Sequence, residues 1–152
     1  MNQSFNLTTA ERIESLKAGI LAGLSLVLAY GITTVGNSLV LVAQVEALAP
    51  LQITTVVNLL VRMAIAFFSG FLFGVTYRYV IRDDKNPHLK SGAVLAFGLV
   101  RGLAPVEVEQ NLTDSFWVLS VLGVESILYF AIARFTLDWA MHHKWVKPFR
   151  SN

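Results

Sequence analysis

Residues 47–77 read ALAPLQITTVVNLLVRMAIAFFSGFLFGVTY, and Arg62 is the only charged side chain among them. At about 1.5 Å per residue a helix over this run exceeds the roughly 30 Å hydrocarbon core of a bilayer. Working outward, residues 18–45 contain no charge and residues 115–133 contain only Glu125. A fourth apolar run, Leu89 to Ala104, is shorter, is broken by Arg101 and is stopped by Pro105. With 152 residues, 55% of them hydrophobic and 14% charged, and a mean hydropathy of +0.59, the chain is too apolar for a soluble domain of its size.

The expectation is an all-α polytopic membrane protein, a single domain over 1–152 with four transmembrane helices at about 17–45, 50–81, 87–104 and 114–139. Thr8-Thr9-Ala10-Glu11 fits a capping box, and Ile13 and Leu16 carry the same helix into the first span. Ala49-Pro50 opens the second span, whose Tyr77-Arg78-Tyr79 end is expected in the headgroup zone. Asp83 to Pro87 is a turn, with Asn86 a cap and Pro87 in the first turn of the third span, while Asp114 caps the fourth. Two helical hairpins result.

Lysine and arginine set the orientation. Arg12 and Lys17 flank the start, Arg78, Arg82, Lys85 and Lys90 crowd the middle connection, and Lys144, Lys147 and Arg150 populate the end. The connections at 44–51 and 103–114 hold Glu46, Glu107, Glu109 and Asp114 and no basic residue. Four spans with both termini cytoplasmic put every basic cluster on one side. Leu16-Lys17-Ala18-Gly19 and Leu89-Lys90-Ser91-Gly92 open the first and third spans alike, as in a parallel repeat.

Several classes drop out. Ala47-Leu48-Ala49 imitates a signal-peptidase site, but the apolar run before it is too long and its leader carries Glu11 and Glu14. The chain has no cysteine, which removes disulfides and thiolate metal sites. A net charge of +2 and a pI near 9.1 come from bases dispersed around apolar segments, unlike a nucleic-acid stripe. His88, His142 and His143 fall at the cytoplasmic edge, where a solvated tail is the simpler reading than a metal site. Trp117, Trp139 and Trp145 read as interface anchors. The sequons at Asn6 and Asn111 carry information only if lumenal and in a glycosylating host. No phosphate loop, zincin helix or nucleophile elbow occurs, so neither an enzyme nor a bound cofactor or metal is expected.

The polar residues inside the spans are the candidate site. A charge at the centre of a bilayer costs about 2.5–3.5 kcal/mol on the insertion scale, so such residues face a partner, a cavity or a pathway. Counted along ideal helices, Arg62 is about 18 Å from Pro50, Glu125 about 16 Å from Asp114 and Arg101 about 6 Å from Pro105. An Arg62–Glu125 pair is therefore expected, with Arg101 reaching toward it and Asn58 one turn from Arg62 on the same face. Three roles stay open: a buried pair that fixes helix orientation, an ion, proton or anion path, and contact with a partner subunit or lipid headgroup. Gly19 with Gly23, Gly70 with Gly74, and Gly98 with Gly102 mark close helix approach, within the bundle or between proteins.

Gly74 to Ala104, GVTYRYVIRDDKNPHLKSGAVLAFGLVRGLA, resembles small uncharacterised integral membrane proteins of cyanobacteria. The likeness covers about a fifth of the chain, contains no catalytic motif and carries over no functional residue. It implies a photosynthetic cell, a plasma or thylakoid membrane, and a place beside large membrane complexes. The expected function is that of an accessory or assembly protein packing on other membrane subunits or on further copies of itself, with the glycine faces and the basic surface as docking elements. The alternative is a small oligomeric channel or transporter using Asn58, Arg62, Arg101 and Glu125.

Overall fold

The computed structural model describes residues 9–37, 56–82, 86–107 and 112–149. Four α-helices make up the described chain, with no strand among the described residues: α1 (Thr9–Gly36), α2 (Val56–Ile81), α3 (Pro87–Leu103) and α4 (Leu112–His142), with a 3-10 turn at Ala104–Glu107. Three helices, α1, α2 and α4, are long and apolar enough to cross a membrane. At 17 residues, α3 is only about 25 Å long, short of the roughly 30 Å core. The expected parts of the first two spans at 38–45 and 50–55, the Ala49-Pro50 turn and residues 83–85 lie outside the described residues.

Local sequence explains the helix ends. The Asn86 side chain accepts from the His88 backbone N–H at 3.0 Å while Pro87 fills the first turn, as expected of that pair. α4 begins at Leu112, two residues before Asp114. At the other end Lys144 adopts a left-handed conformation at φ 61. Trp145 N–H then reaches the Ala140 carbonyl at 2.9 Å and Lys144 N–H that of Met141 at 3.1 Å, closing a Schellman motif. That turn sends Val146 and Phe149 back into buried positions, so the basic tail is docked on the bundle as far as Phe149 while His142 and His143 stay exposed.

Packing along α1 differs from that of a soluble bundle. Along α1 the buried positions Ser15, Ala18, Ala22, Ser25 and Ala29 are small, whereas Ile13, Leu16, Ile20, Leu24, Leu28 and Ile32 are exposed. Apart from buried Leu26, α1 thus turns its large apolar side chains outward and its small ones inward, which suits a lipid solvent where close backbone packing supplies much of the cohesion. A Cβ on Gly70 would stand 2.7 Å from the Ala22 carbonyl oxygen, and one on Gly23 would stand 2.9 Å from the Phe67 ring. Gly19 meets Phe71, and Gly74 lies against Ala18, along the same α1–α2 contact. Gly98 and Gly102 do the same for α3 on α4, against Ile127 and Gly123. All six glycines thus serve packing within the chain. Phe73, Phe97 and Phe130 close the centre with ring centroids 5.1–5.7 Å apart.

Candidate functional site

The polar residues sort into three groups. The first ties the chain ends together. Arg78, expected at the headgroup end of its span, is 1% exposed within the bundle. Its Nε donates to the Lys147 carbonyl at 2.8 Å, and its Nη1 to the Ser15 hydroxyl at 2.7 Å and the Glu11 carbonyl at 3.2 Å. An ion pair with the Glu11 carboxylate completes the fork. Glu14 accepts from Lys147 N–H at 2.9 Å, and Phe149 stacks beside Tyr79, Arg78 and Arg82. The start of α1, the end of α2 and the chain after α4 therefore meet at one end of the bundle. Such a satisfied buried cation reads as a structural fastener.

Asp138 anchors the second group. It accepts from the Tyr77 hydroxyl at 2.8 Å and Lys90 Nζ at 3.0 Å, with Arg134 Nε 3.7 Å away, while Arg134 Nη1 reaches Ser91 at 3.2 Å. One carboxylate thus joins α2, α3 and α4.

The third group contains two of the four intramembrane candidates. Glu125 accepts from the Asn37 amide at 2.6 Å and from the Tyr129 hydroxyl at 3.1 Å, and Tyr129 also shares a hydrogen bond with Thr33. The Arg101 guanidinium lies over the Tyr129 ring at 5.5 Å and the Tyr30 ring at 6.0 Å. Tyr129 is therefore wedged between the cation and the carboxylate. Arg101 Nη1 is buried without a hydrogen-bond acceptor. With Ser25–Thr136 at 3.1 Å, these contacts make a polar seam whose pairs keep α1 and α4 in antiparallel register.

The other two candidates do not join this group. Asn58 and Arg62 are exposed on the outside of α2, and no ion pair links Arg62 to Glu125 among the described residues. The depth count put Arg62 and Glu125 within reach, but α2 lies against α1 by its Gly70–Gly74 face and turns Arg62 away. What residue counting missed is the Arg78 fastener, the Asp138 junction and the role of Tyr129. A usable signal existed in Glu11 and Ser15, which continue the small-residue face of α1. Among the described residues no cluster of histidine, aspartate and glutamate could hold a metal. Comparison with protein-family models, curated proteins and solved structures returns no match.

Proposed function

We propose that this chain is a four-span membrane protein with both termini cytoplasmic, acting as a non-enzymatic accessory subunit that packs against other subunits of a larger membrane complex. Exposed Arg12, Lys17, Arg82, Lys144 and Lys147 gather at the end of the bundle held by Arg78, and the positive-inside rule makes that end cytoplasmic. The fourth span is α3, extended by its 3-10 turn. A photosynthetic membrane, the setting implied by the resemblance of residues 74–104, belongs to the same proposal. The glycine pairs are used inside the chain, so docking falls to other surfaces. The observation that carries the reading is Arg62 with Asn58, exposed on an otherwise uncharged helix face. In mild detergent the protein is expected to co-migrate with a larger assembly on a native gel; migration alone would reject the proposal.

A channel or transporter reading draws on Arg101, whose buried Nη1 lacks an acceptor beside the Glu125 group. Against it, Phe73, Phe97 and Phe130 fill the interior, so a path would have to run between copies. Flux in proteoliposomes that falls on Glu125→Gln would support it, and no flux would remove it.

A further inference from the structure

Arg62 faces outward from α2, and the proposed four-span arrangement sets it near the middle of the bilayer. The exposed Trp117 and Trp139 are about 33 Å apart along α4, close to the thickness of a hydrocarbon core. Ser25 beside Thr136 puts Trp139 level with about Ala22 of α1, and Met63 against Gly31 puts Arg62 roughly 14 Å further in. On α1 the outward side chains at that depth are Leu28 and Ile32, 68% and 72% exposed, a surface suited to lipid. Snorkelling serves arginines close to an interface, whereas Arg62 lies about 14 Å from the Trp139 level and about 19 Å from that of Trp117.

The face around Arg62 has the pattern of a helix-packing seam. Asn58, Arg62, Ile65, Ser69, Leu72 and Thr76 follow one another at alternating spacings of four and three, the repeat that keeps one stripe against a neighbouring helix. None of these six is buried by the chain's own helices. Ser69 is small and uses its hydroxyl on the Ile65 carbonyl at 2.7 Å, leaving room for close approach. A second copy fits poorly. Two chains related by an axis along the membrane normal and joined through α2 would bring both Arg62 side chains to one depth, cation against cation.

We propose that the α2 seam receives a transmembrane helix of a different protein carrying an aspartate or glutamate at the depth of Arg62, with Asn58 as a second donor to that carboxylate. This rests on the accessory-subunit reading and names the chemistry of its partner. The defined probe is a synthetic oligoleucine transmembrane helix with one central aspartate, mixed with the full-length protein in phosphatidylcholine vesicles and followed by energy transfer. The aspartate helix is expected to associate at least about tenfold more tightly than an all-leucine helix, and Arg62→Leu is expected to abolish that preference. No preference, a preference that survives Arg62→Leu, or one erased by adding phosphatidylglycerol would overturn the inference, the last by assigning Arg62 to lipid phosphate. Because the chain has no cysteine, Ser69→Cys supplies a unique thiol; a disulfide-linked dimer in native membranes would also overturn it, by assigning the seam to a second copy. Co-migration with a larger assembly in the absence of any aspartate preference would defeat this inference alone, whereas a wild-type protein that migrates by itself would defeat the accessory-subunit reading.

Discussion

Two arginines on one helix meet opposite fates. Arg78 and Arg62 are sixteen residues apart on α2. Arg78 is enclosed by acceptors from α1 and from the segment after α4, whereas Arg62 has none among the described residues. Removing a buried, fully bonded cation strands its partners, so Arg78→Ala is expected to lower stability by about 3–5 kcal/mol. A thermal unfolding series in detergent checks this, and a shift no larger than that of an exposed control such as Arg12→Ala would contradict the fastener role. Arg78 was legible as a charge near a span end and no more. Its burial depends on Glu11, Ser15 and Lys147, residues up to 69 positions away, and no local pattern announces contacts of that separation.

Among the elements, the helices were readable because hydrocarbon imposes a length and forbids unsatisfied backbone. The faces were readable too. Small residues recur at three- and four-residue steps on α1, and glycine pairs recur on α2 and α3. Glycines doing different work predict different mutational signs. Gly70→Ala forces a methyl onto the Ala22 backbone and is expected to cost about 1–3 kcal/mol. Gly92→Ala, with nothing within 4 Å of the new carbon, is expected to stabilise α3 by roughly 0.5–1 kcal/mol. Paired unfolding curves would show the opposite shifts; equal shifts would mean that the α1–α2 contact is looser than the structure has it.

For the whole molecule, the three polar groups divide the bundle along its axis. The Arg78 fastener closes one end, and the Glu125 group lies about 20 Å along α4 from Asp138, with the phenylalanine core near Phe130 and Phe73 between them. In the proposed orientation, Arg82→Cys and Lys144→Cys are expected to react with a membrane-impermeant thiol reagent from the cytoplasmic side only, and Phe116→Cys from the other. Labelling of Arg82→Cys and Lys144→Cys from opposite sides would break the four-span arrangement.

The order of hydrophobic runs and the distribution of lysine and arginine determined a helical chain built for lipid and suggested which end faces the cytoplasm, because solvent chemistry acts on composition and needs no tertiary contact. Pairing was decided only by the fold. Depth placed Arg62 and Glu125 in comparable layers, yet a helix buries one stripe of its circumference. The glycines of α2 claimed that stripe for α1 and left Arg62 outside. Tyr129, silent in the sequence, came to stand between Arg101 and Glu125 because the α1–α4 register put Thr33 and Asn37 opposite them.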